Sequence, residues 1–207
     1  MYQEAFNVSL FMLEKMVGGF RLGSMYTVAS RPYRGKTTFC MRTAILYAEQ
    51  DYKVLYLSDS LTREEFDQKL QECDTNARTE NITFVPVFCL SKTRLEQVLN
   101  DHPCDLLIVD SIDTLGVDID IGQLKELSLE RKMMVWLTKQ LARPPLWSRR
   151  KYPTLSDIKF MPAKACKKLI SYSDAIFFLH NEQSIRKIIL AKNQQGYLTE
   201  IKIKSSI

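Results

Sequence analysis

Ser30-Arg31-Pro32-Tyr33-Arg34-Gly35-Lys36-Thr37-Thr38 decides how this chain is read. The stretch closes on a glycine, a lysine and a hydroxyl residue in succession, the ending of a phosphate-binding loop. Ser30 stands where the first glycine of that pattern usually falls. Each residue type has a chemical reason. Gly35 lets backbone N–H groups come close to phosphate oxygens, Lys36 carries a point charge suited to β- and γ-phosphates, and the Thr37 hydroxyl is a ligand for Mg²⁺. A helix that begins here aims the positive end of its dipole at the same anions. All nine residues from Ser30 to Thr38 are therefore candidates for nucleotide binding.

The flanks agree with this reading. Met25–Ala29 is a short apolar run that reads as a strand entering the loop. After it, Cys40, Met41, Ala44, Ile45 and Ala48 recur at helical spacing. Further on, Asp105-Leu-Leu-Ile-Val-Asp110 is a nearly continuous apolar run, as expected of a parallel strand buried on both faces. It delivers Asp110 to the strand's carboxyl end, where P-loop enzymes keep an aspartate for the Mg²⁺ shell, usually through water. Thr37 and Asp110 are the candidate metal ligands. Asp113 is either a second polar group at that place or a loop residue.

The remaining chain alternates in the same way. Val54–Ser58, Ile82–Phe88 and Met133–Thr138 read as strands. Helices are expected from Thr62-x-x-Glu65 (a capping box) to about Cys73, over Lys92–Leu99 behind Ser91, and around Gly122–Glu130. Ala175–His180, Ile185–Ala191 and Glu200–Lys204 look like three closing strands, partly hairpins. Strand–helix alternation followed by hairpins implies an α/β fold. Its sheet is expected to be mainly parallel and twisted, with helices on both faces and an antiparallel C-terminal edge. The 207 residues fit a single domain with a full core. The one long irregular stretch, 142–162, is rich in Pro, Arg and Ser, the kind of loop that serves function or disorder.

Composition narrows the class without naming a function. With 45% hydrophobic and 26% charged residues the chain is an ordinary globular one. No apolar run is long enough to span a bilayer, and 1–13 lacks the features of a signal peptide, so the expected location is cytoplasmic, with no membrane partner. The five cysteines (Cys40, Cys73, Cys89, Cys104, Cys166) show no metal-clip spacing and are expected to be reduced and mostly buried. The net charge of +5 points to nucleic acid only weakly.

These residues resemble the C-terminal ATPase domain of DnaB-type replicative helicases, within the RecA-like P-loop superfamily. The likeness covers most of the chain. Gly19-Phe20-Arg21-Leu22-Gly23-Ser24 is similar to the family's lead into the first strand, and Ala29-Ser30-Arg31-Pro32 with Gly35-Lys36-Thr37 to its phosphate loop. Leu137-Thr138-Lys139-Gln140-Leu141-Ala142-Arg143 resembles the strand that ends in a sensor glutamine. Leu155-Ser156-Asp157-Ile158-Lys159, Ser173-Asp174-Ala175-Ile176 and Leu190-Ala191-Lys192-Asn193-Gln194-Gln195-Gly196 resemble later family segments, the last being the hairpin with a Lys-x-Arg finger.

The resemblance implies ATP and Mg²⁺ as cofactors and single-stranded DNA as a partner, within a homo-hexameric ring. It implies catalytic roles for Lys36, Asp110, Gln140 as γ-phosphate sensor, and Lys192. It also implies that the region 142–168 faces DNA. The cations Arg143, Arg149, Arg150, Lys151, Lys164, Lys167 and Lys168 lie there, with Trp147 and Tyr152 among them as candidate stacking groups.

Three departures bear on activity. Ser60 falls where the family's catalytic glutamate is expected, with Asp59 beside it but expected on the opposite side if the strand continues. Gln194 falls at the finger-arginine position. By the resemblance, the chain is expected to open at the ATPase domain, with little room for a linker helix. The expected function is an ATP-binding, DnaB-like ATPase that couples ATP binding or slow hydrolysis to single-stranded DNA. A non-hydrolysing nucleotide-dependent scaffold or regulator, and a recombinase- or clock-type RecA relative, are the alternatives.

Overall fold

The computed structural model describes residues 11–75, 78–112, 119–141, 152–160, 163–182, 185–194, 196 and 198–204. A short helical stretch at 11–16 precedes β1 (Met25–Ser30), α1 (Lys36–Ala48), β2 (Val54–Ser58), α2 (Arg63–Cys73), β3 (Ile82–Pro86) and α3 (Lys92–Asp101). Then come β4 (Leu106–Asp110), α4 (Ile121–Glu130), β5 (Met134–Gln140), a 3-10 helix (Leu155–Phe160), α5 (Ala163–Tyr172), β6 (Ala175–Glu182), β7 (Ile185–Asn193) and β8 (Thr199–Lys204).

One eight-stranded sheet holds them in the order β3-β2-β4-β5-β1-β6-β7-β8. β1 to β6 pair in parallel, and β6-β7 and β7-β8 antiparallel, as the strand–helix alternation and the terminal hairpins implied. β1, β2 and β4 are buried on both faces, so their side chains divide between two cores rather than between core and water. Val28, Tyr56, Trp136 and Phe177 face one core, closed by the helical stretch at 11–16 and by α1. Leu55, Leu57, Val109 and Leu137 face the other, closed by α3, α4 and α5. Trp136 and Phe177 stack with ring centres 5.8 Å apart, which locks β5 against β6 across β1.

Local signals explain the element ends. The Thr62 hydroxyl accepts the Glu65 N–H and the Glu65 carboxylate accepts the Thr62 N–H, so the expected capping box opens α2. Asp120 and Gln123 form a second such box at α4, beyond the one expected from the sequence. β3 stops at Pro86 rather than at Phe88, because proline donates nothing to a ladder; Phe88 is exposed and Cys89 is left-handed, with φ 49°. β5 runs on to Gln140, since Ser30 at the end of β1 supplies its pairing partner. Within the stretch expected to be irregular, the Thr154 N–H donates to Asp157 at 2.7 Å and opens the 3-10 helix. Among the described cysteines, Cys40 and Cys73 are buried, Cys104 is half-buried and Cys89 is exposed; all four are free thiols. No described helix is long and apolar enough to cross a membrane.

Candidate functional site

The sheet register gathers the candidate residues at one edge. Ser30 ends β1 level with Gln140 on β5, and Ser58 ends β2 level with Asp110 on β4. The chain leaves β1 between neighbours that it reaches only much later, which opens a crevice at the carboxyl ends of the strands, where open α/β sheets bind ligands. A cleft of about 700 Å³ lies there, lined by Tyr33, Arg34, Gly35, Lys36, Thr37, Thr38, Asp59, Ser60, Asp110, Ser111 and Gln140.

The loop has the geometry of an anion cradle. Gly35 sits at φ 87° immediately before α1, and no atom lies within 4 Å of where a Cβ would be placed, so the space before the helix is open. The helix has no side-chain cap and no acidic residue in its first turn. Its first N–H groups and its dipole therefore face the cleft, an arrangement suited to phosphate. The Lys36 ammonium donates to the Ser30 hydroxyl at 3.4 Å, and that hydroxyl donates to the Arg31 carbonyl at 2.8 Å. Serine in the place of glycine thus ties the lysine back across the loop. Ser30 itself is fully buried, and neither it, Arg31 nor Pro32 lines the cleft. Tyr33 is left-handed, at φ 59°, an uncommon state for a bulky residue that costs roughly 1–2 kcal/mol.

Asp110 is only 4% exposed and is held by two hydroxyls. Tyr56 donates to one carboxylate oxygen at 2.9 Å and Thr138 to the other at 2.7 Å. Burial, and then the negative charge of Asp110, push the Tyr56 phenol well above its ordinary pKa, so it remains a donor at any physiological pH. Burial and Asp110 likewise raise the Cys40 thiol beneath the loop, which keeps it neutral. With one lone-pair region of each oxygen taken by protein hydroxyls, the carboxylate is oriented rather than free, which suits a role through water.

Tyr56 and Thr138 were not singled out in the sequence. The signal was their place on strands that flank Asp110, which only the pairing order makes visible. Strand alternation sends Asp59 to the other side only if the strand continues past Ser58. The strand ends at Ser58, however, and the Ser60 N–H and hydroxyl turn back onto the Ser58 hydroxyl at 3.3 and 3.2 Å. Alternation therefore stops, and Asp59 and Ser60 both line the cleft.

Other candidates lie elsewhere. β7 runs antiparallel and pairs Lys192 with Ile176, near the start of β6, so Lys192 is carried to the opposite edge of the sheet from the cleft. Its ammonium donates to the carbonyls of Ile170, Ser171 and Ser173, which close α5, at 2.5, 2.9 and 2.5 Å. Burial lowers its pKa. Within one chain, Lys192 therefore belongs to a helix end and not to the group around Lys36.

Of the expected DNA-facing cations, Arg143, Arg149, Arg150 and Lys151 lie outside the described residues, as do Trp147 and Asp113, and the Lys164 side chain does too. Lys167 is exposed. Lys168 is paired with Asp120 at the start of α4. Tyr152 lies under the Lys187 ammonium, 4.3 Å from its ring centre, and edge-on to His180 at 5.1 Å, so its ring is packed within the protein.

Fold and cleft together are those of a RecA-like P-loop fold. Solved structures share that fold. One, an ATPase domain, matches with a TM-score of 0.73 and 20% identity, over 93% of this chain and 84% of that one. A DnaB-like replicative helicase, described with its interactions with primase, matches with a TM-score of 0.73 and 19% identity, over 93% of this chain and 57% of that one. In sequence, the chain is 29% identical over 101 residues to the DNA repair protein RadA of Chlamydia muridarum. It is 34% identical over 98 residues to RadA of Campylobacter jejuni. Each match covers 47% of this chain and 21% of the relative's length. No family model matches the chain.

Proposed function

We propose that this chain is a DnaB-like ATPase domain that binds ATP with Mg²⁺ and couples binding, or slow hydrolysis, to single-stranded DNA. The observation that supports it most is one cleft holding Lys36, Thr37, Asp110 and Gln140, brought from three strands to one sheet edge. The open space before Gly35 and the uncapped start of α1 fit a polyphosphate. Mg²⁺ would be held by the Thr37 hydroxyl directly and by Asp110 through water, and would offset charge on the β- and γ-phosphate oxygens.

The chain's own residues do the rest. Loop amides and Lys36 bind and orient the phosphates. Asp59 and Asp110 are the carboxylates among the described residues that line the cleft, and Asp110 is committed to Tyr56 and Thr138. Asp59, which lines the cleft beside Ser60 in the turn where the family's glutamate is expected, takes the proton of the attacking water, as that water's oxygen bonds to the γ-phosphorus and the bridging oxygen leaves with ADP. Gln140 hydrogen-bonds the γ-phosphate or that water and responds when the phosphate goes. A carboxylate one methylene shorter than glutamate, and Gln194 in the place of a finger arginine, make turnover slow. Such an arginine acting from a neighbour is worth about 10³–10⁵ in rate.

DNA contacts by the cations of 142–168, a hexameric ring, and delivery of Lys192 to a neighbour's cleft belong to the same reading. The resemblance to DnaB-type domains supports them. Ser60, whose hydroxyl is bonded to Ser58, favours a second reading as a nucleotide-dependent scaffold without hydrolysis.

The test is nucleotide binding by calorimetry, with ATP turnover measured with and without single-stranded DNA. Lys36→Ala removes most of the ATP affinity and leaves the melting temperature unchanged. Equal affinity in the wild type and Lys36→Ala would show that nucleotide does not bind here.

A further inference from the structure

The cleft has two unlike ends, and they assign different parts of a nucleotide to different elements. On one side of β1 lie Gln140 on β5, Asp110 on β4 and Asp59 after β2, the polar groups suited to a terminal phosphate and its cation. On the other side lies β6. Its Leu179 is level with Ser30, and the strand then continues through His180, Asn181 and Glu182, paired there with β7. Three residues beyond the end of β1 amount to a wall about 10 Å tall. Arg34 leans across to this wall and donates to the Asn181 carbonyl at 3.3 Å.

Tyr33 stands beside Arg34 at the tip of the loop. Its side chain lines the cleft yet is 100% exposed, so the ring packs on none of the described residues. Its backbone is held in the left-handed region, where a tyrosine gains nothing from its own conformation. An unfavourable backbone that presents an aromatic face at a cleft is the pattern of a ligand clamp rather than of a core residue.

We propose that Tyr33 and Arg34 form the nucleoside end of the site, with the Tyr33 ring covering the base. The inference rests on the phosphate-site reading above. A triphosphate whose γ end meets Asp59 and Asp110 must send its nucleoside away from β2 and β4, over the loop toward Tyr33 and the β6 wall. Arg34, braced on Asn181, holds the loop at that wall and offers a planar cation, beside the Tyr33 ring, over the sugar and base. A phenol ring and a guanidinium recognise the face of a base, not its edge. The recognised chemistry is therefore any nucleoside triphosphate, with little choice between adenine and guanine.

Stacking of a base on an aromatic is sequence-tolerant, and its loss to alanine weakens binding by about 5- to 150-fold. The experiment measures the affinity of the whole chain with Mg²⁺ for ATP, GTP and inorganic tripolyphosphate, in the wild type, Tyr33→Phe, Tyr33→Ala and Lys36→Ala. The Tyr33 side chain packs on none of the described residues and alanine retains its Cβ, so Tyr33→Ala tests the ring. Tyr33→Ala is expected to lose at least about 5-fold for both ATP and GTP and less than about 2-fold for tripolyphosphate, while Tyr33→Phe keeps the wild-type values. Lys36→Ala is expected to weaken all three ligands. A Tyr33→Ala effect equal for the three ligands, an effect absent for all of them, or wild-type affinity no tighter for ATP than for tripolyphosphate overturns the inference and leaves the phosphate site standing. A wild-type chain that binds none of the three overturns both.

Discussion

Thr138→Val tests the grip on Asp110 at the level of a single hydrogen bond. Valine keeps the β-branched shape that β5 needs and removes the hydroxyl that donates to the carboxylate at 2.7 Å. Thr138 is 0% exposed, so the donor is lost at a buried position between two strands. Hydrogen bonds to charged groups contribute about 1.5–3 kcal/mol, and a buried acceptor that loses its partner bears a cost of that size. A chain of this length unfolds with an entropy near 0.4 kcal/mol/K, from about 2.1 cal/mol/K per residue, so the melting temperature falls by about 3–7 °C. Urea unfolding reads the same loss as a lower midpoint at constant slope. Tyr56→Phe removes the other donor and is expected to cost a similar amount. Because both act on one carboxylate, the double variant departs from additivity by at least about 0.5 kcal/mol. In an Asp110→Ala background the cost of Thr138→Val shrinks toward zero. A Thr138→Val variant within about 0.5 kcal/mol of wild type, the range of an ordinary surface change, would refute the reasoning.

The site and surface yield three more expectations. Asp59→Asn lowers kcat for ATP with little change in ATP affinity, and Ser60→Glu raises it by placing a longer carboxylate one residue on; unchanged steady-state turnover in both excludes this turn from the chemistry. The Asp120 carboxyl is held below its ordinary pKa by its hydrogen bond from the Lys168 ammonium, then by that from the Gly122 N–H. Its contribution to stability is complete above the unfolded value of about 3.9 and is lost as the pH falls through the lower folded value. Lys168→Gln raises that folded value, and a carboxyl titration followed by NMR that stays at the wild-type position counts against the pair. For nucleic acid, neutralising Arg149, Arg150 and Lys151 together flattens the salt dependence of single-strand binding by about two to three contacts, at about 0.7 log units each. A hexamer, established by mass, that binds single strands with no salt dependence removes the DNA-motor reading.

Much of the fold was legible because its signals are local or periodic. The run Leu106–Asp110 is apolar at every position before its aspartate, and only a strand covered on both faces needs that. Thr62 and Glu65 announce a helix start through one reciprocal pair of bonds. Gly35-Lys36-Thr37 carries its expected chemistry in consecutive residues, so the proposed cradle could be read without tertiary information. Element ends were less legible. β5 reaches Gln140 because Ser30 pairs there, and β3 gives way after Pro86 although the apolar run continues to Phe88.

The sequence by itself determined the parallel α/β alternation, the phosphate loop and the strand-end aspartate, since each depends on residues adjacent along the chain or repeated at the period of one element. Tertiary structure alone decided which of them meet. Placing β5 between β1 and β4 sets Gln140 beside Ser30 and Thr138 beside Asp110, and no spacing in the sequence encodes that neighbourhood. The end of β2 at Ser58 leaves Asp59 lining the cleft, where a strand continued past Ser58 would carry it to the other side, because a side chain's side is set by where pairing stops. The antiparallel return of β7 takes Lys192 to the far edge, onto the carbonyls of α5. Long-range strand order is a property of how two cores close around one sheet, and it moves a residue across the molecule without changing a letter near it.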